Sequence, residues 1–148
     1  MVTGTYIVNN HPASILFDTG ADKSFVSTTF ASLFELPVTT LKSPYTVEIA
    51  NGKLIHARNV IRNCMLKLDN HEFSIDLIPM NLGSFDIVVG MDWLSRNHAE
   101  IICSERLIQI PLPSGNVLRI FGDKPCRELK IIFSVILRNN ILHSWRML

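Results

Sequence analysis

Charge is scarce in this sequence, and neither sign prevails. Lysine and arginine total 14 against 13 aspartates and glutamates, a formal net charge of +1 over 148 residues. Chains that hold nucleic acid or an anionic membrane through their surface field carry a clear basic excess. The near balance excludes both as partners of this domain. Cysteine is also sparse. Cys64, Cys103 and Cys126 are odd in number and widely spaced, which fits neither a disulfide framework nor a CxxC metal site. Three reduced thiols point to a cytoplasmic protein. His11, His56, His71, His98 and His143 are scattered without ligand spacing and read as surface residues, and no glycine-rich phosphate loop is present. No metal or cofactor is therefore implied. Long apolar runs are missing as well. Ile131 to Leu137 includes Ser134 and is far too short to span a bilayer. The opening Met1-Val2-Thr3-Gly4-Thr5-Tyr6 lacks the basic region and apolar stretch of a signal peptide.

What is present is apolar and β-prone. Hydrophobic residues make up 47% and charged residues 18%, enough for one domain with a real core. Thr5 to Val8 and Ala13 to Phe17 read as strands around the turn cluster Asn9-Asn10-His11-Pro12. From Tyr45 to Ala50, Val47 and Ile49 share one face and Thr46 and Glu48 the other. Asn51-Gly52 follows, a strong hairpin signal because both residues tolerate positive φ. Leu54 to Ala57 is the return arm. Cys64, Leu66 and Leu68 on one strand face Phe73, Ile75 and Leu77 on the next, across the polar turn Asp69-Asn70-His71-Glu72. That period of two indicates a half-buried antiparallel hairpin. Ile87-Val88-Val89 is apolar throughout and reads as a strand buried on both faces. Further strands are expected at Glu100 to Cys103, Arg106 to Ile110 and Val117 to Phe121, with Ser114-Gly115 as a turn. Helical signals are few: Thr28 to Phe34, ending before Pro37, and Asp92 to Arg96 after Gly90.

One motif carries chemistry. Asp18-Thr19-Gly20-Ala21 follows the apolar strand Ile15-Leu16-Phe17. If two such loops meet across a two-fold axis, their carboxylates are forced together. Both cannot ionise, so the pair shares a proton and titrates as a unit. The ionised member can then activate a water while the protonated member polarises a peptide carbonyl. Gly20 lets a main-chain N–H approach the carboxylate, and the Thr19 hydroxyl can bond across the dimer. Asp22 or Ser24 can add polar contacts to substrate or loop. Read locally, Asp18 is otherwise a turn aspartate bonding its own backbone. Asp86 and Asp92 are read as structural, and Trp93 as core.

The segment Ile15 to Val26 resembles the active-site segment of retropepsins, most of all the protease of gypsy-type LTR retrotransposon polyproteins. A second signature, Phe85-Asp86-Ile87-Val88-Val89-Gly90-Met91-Asp92-Trp93-Leu94, resembles theirs too. The hairpin between them falls where the family has its substrate-covering flap. The resemblance runs from about Thr3 to about Lys130. It implies an all-β, closed barrel with a flap hairpin and one or two short helices. It implies an aspartic endopeptidase in which Asp18, Thr19 and Gly20 form the catalytic loop. Ala21, Asp22, Asn51, Gly52 and Val88 are the expected substrate contacts, although a plain core role fits Val88 equally well. With a single Asp-Thr-Gly in a chain too short for two lobes, the active form is expected to be a homodimer acting on a peptide or polyprotein. One departure stands out: Met91 occupies a position where retroviral relatives have a basic residue that supports the substrate-binding aspartate. Residues 1–123 are read as the protease domain and 124–148 as a connector or tail. The alternatives are a catalytically inactive dimerisation or peptide-binding module derived from a transposon, and an inert segment of a longer polyprotein.

Overall fold

A computed structural model of the chain describes residues 1–48 and 54–123. The tip of the expected flap, Asn51-Gly52, and the 124–148 segment lie outside the described residues.

Ten strands account for most of the described chain. β1 (Val2–Val8) and β2 (His11–Phe17) form a hairpin in which Val8 pairs with His11. Its two-residue loop is Asn9-Asn10, at φ 48° and 68°. Two successive positive φ values match the right-handed strand twist, and asparagine tolerates them better than most side chains. The same device recurs between β5 (Leu54–Leu68) and β6 (His71–Met80), where Asp69 and Asn70 lie at φ 50° and 68°. The turn is thus two residues rather than the four of the polar cluster, and His71 and Glu72 already belong to β6.

Six strands close into a barrel in the order β1, β2, β7 (Ile87–Val89), β3 (Phe25–Ser27), β6, β5, with β5 returning to pair with β1 at Ile7–Lys67 and Val8–Leu66. β4 (Thr39–Glu48) is hydrogen-bonded to the first half of β5 and extends from the barrel as one arm of a hairpin. The return arm is therefore only the start of a 15-residue strand. β5 serves both structures because it bends: its pairing with β6 shifts between Ile61 and Cys64, and Asn63 sits at φ 58°. Asp76 braces the bend, accepting from the Asn63 N–H at 2.9 Å and pairing with Arg62 at 3.2 Å.

β7 lies between β2 and β3, and all of its residues are buried, as a uniformly apolar strand requires. β3 itself was not expected from the sequence, because three residues are too few to show a period. The helices are short: α1 (Thr28–Ala31), capped by the Ser27 hydroxyl, and α2 (Met91–Arg96). β8 (Glu100–Ile102), β9 (Leu107–Pro111) and β10 (Val117–Phe121) form a separate three-stranded sheet. Its inner residues Ile108, Ile110, Leu118 and Ile120 join the main core around Phe17, Leu66, Leu77 and Trp93. A second apolar cluster joins Ala21, Val88, Phe25 and Ile78 to Val47, Ala57 and Val60 of the β4–β5 arms. Among the described residues no helix is long and apolar enough to cross a membrane.

Candidate active site

Asp18 is the first residue beyond β2, and strand pairing runs right up to it. Phe17 is in register with Val89 of β7, and the Asp18 N–H donates to the Val89 carbonyl at 2.9 Å. The loop then closes, with the Ala21 N–H reaching back to the Asp18 carbonyl at 3.3 Å. This turn aims the Gly20 N–H at the Asp18 side chain, where it donates to Oδ1 at 2.9 Å. The other oxygen, Oδ2, is buried and has no hydrogen-bond partner among the described residues. Asp18 as a whole is 0% exposed. Burial pushes its carboxyl up from 3.8 to about 7, against the lowering pull of the Gly20 bond and of the N-terminal ammonium. A carboxyl with one oxygen held and the other unused, poised near neutrality, suits proton transfer in either direction.

The second signature holds this loop from behind. The Met91 and Asp92 N–H groups donate to the carbonyls of Ala21 and Asp22 at 2.7 and 3.1 Å. The Asp92 carboxylate accepts from the Ser24 hydroxyl at 2.7 Å, from the Ser24 N–H at 3.2 Å and from the Trp93 N–H at 2.8 Å. The Ser24 oxygen accepts in turn from the Gly90 N–H at 3.0 Å. Gly90 packs so closely that a Cβ there would lie 2.2 Å from the Lys23 carbonyl oxygen and 2.6 Å from that of Ala21. Asp86 makes an equivalent tie at the other end of β7. It accepts from the Ser14 N–H at 2.9 Å through its side chain and from the Ser27 N–H at 2.8 Å through its carbonyl.

A family model for retroviral aspartyl proteases matches residues 1–114. The chain belongs to that family. It is 27% identical over 125 residues to the enzymatic polyprotein of Soybean chlorotic mottle virus, covering 84% of this chain but only 16% of that protein. Among solved structures, the retroviral protease-like domain of Ddi1 from Leishmania major matches with a TM-score of 0.59 at 11% identity, covering 84% of this chain and 94% of that one. EIAV protease, solved with the inhibitor HBY-793, matches at 0.52 and 17% identity, covering 68% and 90%. At these identities the structural likeness speaks for the fold, a retroviral protease barrel.

Within this retroviral protease domain the residues singled out from sequence fall as follows. Asp18, Gly20 and Ala21 are buried in the loop, whereas Thr19 and Asp22 are exposed on it. The Thr19 hydroxyl has no partner among the described residues. Val88 is 0% exposed and packs in the second apolar cluster beside Ala21. Asp92 and Asp86 are structural, as their positions suggested. Trp93 is core, its ring 5.4 Å from Phe73 and 6.4 Å from Phe17. Cys64 is buried with a free thiol that burial raises to about 11. Sequence reasoning missed the Lys23–Tyr45 contact, in which the Lys23 ammonium lies 4.4 Å from the Tyr45 ring centroid. The two residues are far apart along the chain, and no local pattern joins them. Among the described residues no group of three His, Cys, Asp or Glu side chains is arranged to hold a metal.

Proposed function

We propose that the chain is an aspartic endopeptidase that works as a homodimer, with one site formed by the Asp18 carboxylates of two copies. The buried Asp18 carboxyl carries this reading: Oδ1 is committed to the Gly20 N–H, and Oδ2 has no partner among the described residues. A second Asp18 brought against it would complete a pair that shares one proton.

In that site the ionised carboxylate takes a proton from a bound water as the water oxygen attacks the peptide carbonyl carbon. The protonated carboxyl gives its proton to the carbonyl oxygen. The tetrahedral diol then collapses: the carboxyl that took the water's proton gives it to the nitrogen, the other carboxylate takes a hydroxyl proton from the diol, and the C–N bond breaks, leaving one shared proton on the pair. Thr19, exposed at the loop edge, is suited to bond the second copy. Ala21, Asp22 and Val88, with Asn51 and Gly52 of the expected flap, are assigned to the substrate, an extended peptide. Likeness to a viral polyprotein supports self-processing of a retrotransposon polyprotein, with residues 1–123 as the protease and 124–148 as a connector.

The test is cleavage of a peptide library by the purified chain at mildly acidic and neutral pH, with pepstatin and with Asp18→Asn as controls. Cleavage removed by both supports the reading, and cleavage surviving Asp18→Asn sinks it. A second reading, a dimerisation or peptide-binding module without hydrolysis, draws support from the complete burial of Asp18 in the single chain and from Met91. Peptide binding by a folded dimer that never cuts would favour it.

A further inference from the structure

Lys23 is fixed at both ends in a way that a solvated surface lysine is not. Its backbone lies in the loop that the second signature holds. The flanking Asp22 carbonyl and Ser24 N–H are both bonded to Asp92, and Gly90 packs against the Lys23 carbonyl with no room for a Cβ. Its ammonium rests over the Tyr45 ring, 4.4 Å from the centroid. Tyr45 belongs to β4, an arm of the hairpin that rises from the barrel, and packs at the border of the apolar cluster containing Ala21 and Val88. The contact therefore bridges the loop bearing Asp18 and the arm that leads to the hairpin tip. A cation seated on an aromatic face keeps its charge and loses conformational freedom, so a partner carboxylate meets it with less ordering cost.

We infer that Lys23, positioned by Tyr45, makes this site select peptides carrying an acidic side chain close to the scissile bond. The inference rests on the proposed peptide-binding function of the same cleft. A peptide held between the Asp18 loop and the hairpin runs past this junction, and its side chains meet a fixed positive charge. Tyr45 supplies apolar surface beside that charge, which suits the methylenes of glutamate at least as well as aspartate.

The test is paired profiling of one peptide library that varies Asp, Glu, their amides and Lys at each position. Cleavage is read with the wild-type chain, and binding with Asp18→Asn, which leaves the Lys23–Tyr45 junction unaltered. Acidic over amide side chains should be favoured about five-fold at one position, the scale of a single part-exposed ion pair. Lys23→Met should abolish that preference, and Lys23→Glu should turn it toward lysine. Tyr45→Phe should keep it and Tyr45→Ala weaken it. Binding with this pattern in a chain that never cuts would uphold the inference and defeat the endopeptidase reading. A preference unchanged in folded Lys23→Glu and Lys23→Met, or no acidic preference at all, overturns the inference while leaving cleavage intact. A chain that neither cuts nor binds any peptide overturns both.

Discussion

The Ser24 hydroxyl donates to Asp92 at 2.7 Å and accepts from the Gly90 N–H at 3.0 Å, so a single buried oxygen joins the two signatures of the sequence. Ser24 is 0% exposed. Ser24→Ala leaves the Gly90 N–H without its acceptor and Asp92 without its shortest bond. Stranding buried polar groups costs about 1–3 kcal/mol, so urea unfolding should show a loss of that size. Peptide cleavage should fall further than stability, because the same bonds set the position of the Asp18 loop. An unfolding midpoint equal to wild type would mean that the two signatures are held together by other contacts.

Gly90 makes the sterically sharpest prediction. The atoms nearest to an added Cβ are backbone atoms of Lys23 and Ala21, at 2.2 to 2.8 Å. They cannot swing aside as a flexible side chain does. Gly90→Ala must move the Asp18 loop, α2, or both, at a cost of about 1–3 kcal/mol or more. Thermal unfolding measures the loss directly. A Gly90→Ala chain with unchanged melting temperature and unchanged activity would contradict so close an approach of the two backbones.

These two residues also show what was legible beforehand. The loop at Asp18, the all-apolar β7 and the hairpins were readable because each is local. A buried strand ends at Asp18, Ile87 to Val89 has no polar face, and Cys64-Leu66-Leu68 answers Phe73-Ile75-Leu77 at a period of two. The structural roles of Asp92 and Asp86 followed from their positions beside turns and a helix start. β3 escaped because three residues carry no measurable period. The bend that lets β5 serve both barrel and hairpin escaped because it depends on Asn63 reaching Asp76 on another strand. The Lys23–Tyr45 contact escaped for the same reason: it exists only once β4 has folded back beside the Asp18 loop.

Asp18 should oppose folding over a defined pH window. Its carboxyl is raised from 3.8 to about 7 in the folded chain, chiefly by burial. Below pH 4 both folded and unfolded chains hold the proton, and the group is neutral toward stability. Between about 4 and 7 the unfolded chain releases its proton while the folded chain retains it, so stability declines as pH rises. Above about 7 the penalty is complete, and the displacement corresponds to about 4 kcal/mol at most. Asp18→Asn, which cannot ionise, should therefore match wild type near pH 4 and exceed it by up to a few kcal/mol at pH 8. Urea unfolding at the two pH values, at a protein concentration low enough to hold monomers, decides the matter. A mutant no more stable than wild type at pH 8 would show that the carboxyl ionises there without penalty.

Trp93 links the core to the site, and its two halves can be separated by mutation. Its ring is 1% exposed and packs edge-on to Phe73, which fixes α2 against the barrel. α2 in turn holds the Asp92 carboxylate on the Ser24 hydroxyl. Trp93→Ala should cost about 3–5 kcal/mol through the cavity alone. The indole Nε1 is buried without a partner among the described residues, so the ring's polar atom is a liability in the folded state. Trp93→Phe loses one ring's worth of packing but also removes that donor, whose burial costs about 1–3 kcal/mol. The two terms oppose each other, and Trp93→Phe should therefore lie within about 2 kcal/mol of wild type and retain the Asp92 contacts. Comparing both variants by urea unfolding separates packing from polar burial. Equal losses for Phe and Ala would mean that the indole nitrogen finds a partner, such as an ordered water, and that the Nε1–H contributes to holding α2 in place.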